Sequence, residues 1–141
     1  MKGRELTVLG ALAALMSVLG ACSVAGGQAG LEGTRWSLTS LDGLAPVPGS
    51  TITAAFDASG KVGGSSGCNS YSAPYVAEGD SLTIGQTVGT LMACEEALMR
   101  QESTYLAALT ATASYAIAGD TLILRDTSGA ARLEFAAQSN E

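Results

Sequence analysis

The stretch GGSSGCNSYS, Gly63 to Ser72, carries two readings at once. Its first five residues fit G-x-S-x-G with Ser65 at the centre, the pattern of a serine-hydrolase nucleophile elbow. Its last six start with Gly67-Cys68-Asn69, a glycine and a turn-forming asparagine on either side of a thiol. An elbow needs a strand, a sharp turn and then a helix, whereas Tyr71 to Ala77 reads as a further strand. The usual triad needs an imidazole base, and the 141-residue chain has no His. A Ser–Lys variant would have to use Lys61, the one lysine beyond residue 21. The structural reading is simpler. Gly67 supplies a positive-φ or bulged backbone, and Asn69 hydrogen-bonds nearby main chain to hold the turn. A groove in which Asn69 and Tyr71 face a ligand is the functional alternative.

Outward from this turn the chain divides into three parts. Lys2 and Arg4 precede the uncharged run LTVLGALAALMSVLGA, Leu6 to Ala21. A basic start and an apolar core predict a signal peptide over 1–21, and 16 residues are short of the roughly 20 that span a bilayer. An uncleaved anchor is the competing reading. Leu19-Gly20-Ala21-Cys22 resembles a bacterial lipobox, which implies that Cys22 becomes the lipidated first residue of the mature chain. Two acyl chains make a stable anchor, at about 0.8 kcal/mol per buried CH₂. A plain secretory signal with an incidental Cys is the alternative. Residues 22–30 are small and aperiodic and read as a flexible tether of roughly 15 Å. Removing residues 1–21 takes Lys2, Arg4 and Glu5 from 7 basic and 13 acidic residues, leaving 5 and 12, a net −7. Such a domain is a poor nucleic-acid binder, so no nucleic-acid partner is expected and the membrane link falls to Cys22.

The remaining cysteines, Cys68 and Cys94, would lie outside the cytoplasm, where disulfides persist. A Cys68–Cys94 bridge is the expectation. Their spacing is far from the C-x-x-C of a redox pair, and two Cys without His make a poor metal site. No metal and no cofactor are expected.

Residues 31–137 form the expected domain. Gly33 to Leu38 alternates, with Trp36 and Leu38 on one face, as a half-buried strand does. Ile52, Ala54 and Phe56 alternate before a hairpin turn at Asp57 to Gly60. Lys61 to Ser66 returns, with Gly63 and Gly64 marking a bulge or close backbone approach. Tyr75 to Ile84 aligns with Tyr115 to Leu124, each a hairpin about a Gly-Asp pair. Between them, Cys94 to Thr110 is rich in helix formers, with Leu98, Tyr105, Leu106 and Leu109 on one stripe. Glu102 interrupts that stripe and is expected to be half-buried beside Arg100 or Arg132, or solvated. A turn at Thr127 to Gly129 leads to a last strand at Ala131 to Phe135. The fold class is α+β: about seven or eight antiparallel strands in a curled sheet or half-barrel, with one packed helix.

These motifs, in order, resemble one family. Leu31-Glu32-Gly33-Thr34-Arg35-Trp36-Ser37-Leu38, Gly67-Cys68-Asn69-Ser70-Tyr71-Ser72, Thr90-Leu91-Met92-Ala93-Cys94 and Glu102 with Tyr105, Leu106 and Leu109 are similar to the segments of the META domain, the family of the HslJ heat-shock proteins. Ala73 and Glu95 depart from it, where Gly and Pro are usual. The resemblance implies a cracked or half β-barrel with one helix, a stress-related envelope lipoprotein and no established catalysis. Trp36, Gly67, Asn69, Tyr71 and Glu102 are the family-motif residues, structural or lining a groove. The expected function is a non-enzymatic, lipid-anchored protein that meets an unidentified envelope protein. A half-barrel that binds a small hydrophobic ligand or a lipid is the alternative. Ser23 differs from the Asp that retains lipoproteins at an inner membrane, which favours the outer membrane in a host that has one.

Overall fold

The structure is a computed structural model and describes residues 30–139. The expected signal peptide, the expected lipidation site Cys22 and the expected tether up to residue 29 lie outside the described residues.

The alternating segments become strands. They are β1 (Arg35–Leu41), β2 (Thr53–Phe56), β3 (Lys61–Ser65), β4 (Ser70–Glu78), β5 (Ser81–Ile84) and the two-residue β6 (Val88–Gly89). Helix α1 (Glu96–Thr110) follows, then β7 (Thr112–Ala118), β8 (Thr121–Asp126) and β9 (Ala131–Ala137). The order is β3-β2-β1-β9-β8-β7-β5-β4, and β4 pairs back onto β3. Eight antiparallel strands therefore close a barrel, not the expected half-barrel. The seal is the register from Lys61↔Pro74 to Ser65↔Ser70, made possible where Gly63 passes the Tyr71 carbonyl too closely for a side chain. Strand β6 continues β5 along the same edge of β4, where Tyr71↔Gly89 and Ser72↔Val88 pair just beyond Tyr75↔Ile84.

Every ring strand turns one side inward. Phe56, Val62, Leu82, Leu122, Leu124, Leu133 and Phe135 are all at most 1% exposed. The interior is thus filled by side chains, as in other small barrels. The two similar segments are the β4–β5 and β7–β8 hairpins, and Gly79 and Gly119 have φ of 60° and 58°. A glycine first in a two-residue hairpin turn supplies that conformation without strain.

The helix covers the end of the barrel where β1 and β3 finish and β4 starts. Its buried face is Gln101, Glu102, Tyr105, Ala108 and Leu109. That face is rotated from the expected stripe: Leu98 and Leu106 are only half-buried. The chain enters at the opposite end, where Gly30 lies by Ala77, Tyr115 and Gly119.

Candidate functional site

Four of the five family-motif residues, Gly67, Asn69, Tyr71 and Glu102, meet where α1 closes the barrel. Gly67 adopts φ 103°, and a Cβ there would sit 3.1 Å from Gln101 Nε2. The position suits glycine on both counts. Cys68 and Cys94 form a disulfide with Cα atoms 6.1 Å apart, across a sequence separation of 26. Residue Glu95 offers no side-chain cap to the helix, so this bridge is what ties the helix start to the Gly67–Asn69 turn.

Glu102 corrects the sequence expectation. It is 8% exposed, and neither Arg100 nor Arg132 is its partner. Arg100 pairs with Glu96, and Arg132 with Asp42 and Asp126. The Glu102 carboxylate instead accepts from the Ser66 hydroxyl, from the Asn69 backbone N–H at 3.0 Å and from Asn69 Nδ2 at 2.9 Å. Burial alone raises a carboxyl pKa, but these donors outweigh it and hold Glu102 below its ordinary value. A buried charge without a cation is tolerable because every donor is fixed by the fold and aimed at it.

Asn69 passes the hold onward. Its Oδ1 accepts from Thr90 Oγ1 at 2.9 Å and from Met92 N at 2.6 Å, and its Nδ2 also donates to Met92 O at 3.3 Å. Ser70 N donates to Thr90 Oγ1 at 3.1 Å, and Thr90 N donates to Ser70 O at 3.1 Å. The next helix residue, Gln101, works in the same way on another loop. Its Oε1 accepts from Val47 N at 2.6 Å, and its Nε2 donates to Ser50 Oγ at 3.0 Å. Two neighbouring polar side chains on α1 therefore fasten two loops to the barrel end. Ser66, Thr90, Met92 and Gln101 are participants that sequence reasoning missed. The signal available was a polar pair, Gln101-Glu102, inside an otherwise apolar helical face.

Tyr71 points into the barrel and donates its hydroxyl to Thr53 O at 2.8 Å. Its oxygen is 2.6 Å from the Tyr105 hydroxyl. With Tyr71 donating to the carbonyl, Tyr105 is the donor between them. The rings meet edge-on, with centroids 5.5 Å apart. Burial pushes both phenols well above their ordinary pKa, so both stay protonated.

Asn69 and Tyr71 do line a cleft of about 150 Å³, with Glu102, Val88, Leu91 and Leu106. Trp36 is not part of it. Trp36 lies near the opposite end, 3% exposed, and its Nε1 donates to Thr34 Oγ1 at 2.7 Å. Ser65, the centre of the elbow-like pattern, closes β3. Its hydroxyl donates to Thr51 O at 3.0 Å, and a turn and strand β4, not a helix, come next.

Comparison with known proteins agrees with this architecture. No curated protein sequence matches the chain. The NMR structure of a protein from Burkholderia xenovorans is similar at 28% identity and a TM-score of 0.64, over 78% of this chain and 85% of that one. A second NMR structure is 20% identical with a TM-score of 0.60, over 74% of this chain and 89% of the other, and shares the fold. The family model of the META domain matches residues 29–140. That match spans most of the chain and includes the clamp that joins Glu102 to Asn69, and the chain therefore belongs to the META domain family.

Proposed function

We propose that the chain is a lipid-anchored envelope protein that acts by binding another protein, without catalysis. The observation that carries the non-catalytic part is the state of its buried polar groups. Glu102, Ser66 and Asn69 bond to one another and to the main chain. They act as struts: the carboxylate is occupied by three donors, and Ser66 is fully buried. These residues border the small cleft, but a general base or nucleophile must be free to exchange a proton with substrate, and here the donors fixed by the fold already take up the carboxylate. The lipobox-like Leu19-Gly20-Ala21-Cys22 supports anchoring at the membrane surface, and the resemblance to the HslJ heat-shock proteins is the ground for proposing a stress role.

The ligand-binding alternative is weakened by size. Drug-sized ligands occupy clefts of roughly 300–1,000 Å³; the cleft at Asn69 and Tyr71 holds about 150 Å³, the cleft beside Trp36 at the opposite end holds about 310 Å³, the bottom of that range, and the barrel interior is filled. The test is gentle detergent extraction of the native protein, followed by mass spectrometry of its N-terminal peptide and of what co-purifies. The expected result is a diacylglyceryl group on Cys22 and a stoichiometric protein. An unlipidated, freely soluble product refutes the anchor. A bound lipid or metabolite without a protein refutes the interaction reading.

A further inference from the structure

The loop that Asn69 holds carries Leu91, the most exposed large apolar side chain of the described residues, and two further exposed ones, whereas the exposed Leu44 and Val76 lie apart from it in the sequence. Leu91 is 98% exposed, Val88 66% and Met92 58%. Isolated exposed apolar residues are ordinary. Here three lie within five positions, and Val88 and Leu91 border one cleft with the half-buried Leu106. The backbone beneath them is fixed by Asn69 on both sides of Met92, by Thr90 on Ser70, and by the disulfide at Cys94. A loop that only linked β6 to α1 would need neither the apolar side chains nor the clamp. Holding apolar groups rigid in water lowers the ordering cost of binding, which is the physical content of preorganisation.

Three observations select the occupant. Strand β6 ends the strand order and pairs only with β4, so its outer edge has no strand beside it among the described residues. Such an edge accepts an extended segment. Glu95 and Glu96 stand exposed next to the apolar residues. Arg100 neutralises Glu96 through an exposed pair at 3.5 Å, and no ion pair engages Glu95 among the described residues. The chain enters at the far end of the barrel, about 23 Å away along a seven-residue strand, so a membrane-tethered domain presents this loop away from the lipid.

We infer that the Val88–Met92 loop and the outer edge of β6 form a docking surface for an extended segment of another protein, with apolar residues seated on Val88 and Leu91 and a basic residue opposite Glu95. This rests on the protein-binding reading above and gives that reading a place and a partner chemistry.

The test is selection of random peptides displayed on phage against the full oxidised chain, followed by titration of the enriched peptides. Leu91→Ser/Met92→Ser changes only exposed side chains and leaves the clamp intact. The inference expects peptides with apolar residues beside Lys or Arg, affinity at least tenfold weaker on that variant, and severalfold weaker on Glu95→Gln. Phosphatidylcholine vesicles added to the titration are expected to leave the affinity unchanged. Peptides that bind the variant as well as the parent place the protein-binding site elsewhere and overturn this surface while sparing the broader reading. No enrichment overturns both. Displacement by vesicles makes the loop a lipid contact, and a dimer that dissociates on Leu91→Ser makes it a self-interface; either result overturns the inference.

Discussion

Replacing Glu102 by Ala removes the acceptor that joins α1 to the Ser66–Asn69 turn. The three donors are not left equally stranded. Ser66 Oγ lies 2.8 Å from Asn69 O, and Asn69 Nδ2 lies 3.3 Å from Met92 O, so both have another acceptor. The Asn69 backbone N–H has none. An orphaned buried donor costs about 1–3 kcal/mol, and bonds to a charged group are worth about 1.5–3 kcal/mol each. Relief from burying a carboxylate offsets part of this. The net expectation is a loss of about 2–3 kcal/mol, or roughly 10 °C in Tm for a domain of this size. Urea unfolding of the oxidised chain followed by circular dichroism reads it directly. The pH dependence supplies an independent check. Glu102 has a folded pKa below its unfolded value of about 4.3. Its stabilisation is therefore fully present above that unfolded value and is lost as pH falls through the folded one. Asp57 and Asp126 are also lowered by their turn hydrogen bonds, so the wild type loses stability in acid from several groups. Glu102→Gln should remove only its own share and flatten the curve below about pH 4. A cost under about 1 kcal/mol for Glu102→Ala, with acid curves of equal slope, would refute the clamp.

Other changes test the same frame. Cys68→Ala/Cys94→Ala opens a loop of 26 separation and should cost about 3.5 kcal/mol in the chain-entropy model, read as a lower urea midpoint. Gly67→Ala forces a side chain into φ 103° against Gln101 and should cost about 1–3 kcal/mol. Tyr71→Phe strands the fully buried Tyr105 hydroxyl, whereas Tyr105→Phe leaves Tyr71 still bonded to Thr53 O. The first should therefore destabilise by about 2 kcal/mol and the second by about 1 or less, and thermal melts that reverse this order contradict the assigned donor directions.

The hairpins were legible because their cause is local. Gly79-Asp80 and Gly119-Asp120 need no distant partner to turn a chain, and alternation at Trp36, Leu38, Ala54 and Phe56 marks one wet and one dry face. Barrel closure was not legible, since it depends on β3 pairing with both β2 and β4, and alternation says nothing about which edges meet. Strand β6 escaped notice because two residues carry no period; β4 alone makes Val88–Gly89 a strand. The helix face was misjudged for a related reason. Gln101 and Glu102 are polar, so a hydropathy stripe passes them over, yet loops from residues 47–50 and 66–69 fold onto them and bury both. Glu102 invites a nearby arginine as partner, and its donors lie more than 30 residues away. The disulfide was readable from cysteine count, whereas its role in fixing the apolar loop needed the geometry at Asn69.

The central claim is that an exposed apolar loop is held rigid by a buried clamp. Amide hydrogen exchange at Met92 tests it most directly, because that N–H donates to Asn69 Oδ1 at 2.6 Å while its own side chain is 58% exposed. The account predicts protection at Met92 comparable to that of the barrel strands, abolished by Asn69→Ala while β8 and β9 stay protected. Exchange at Met92 as fast as in an unfolded chain, in the intact oxidised protein, would contradict it.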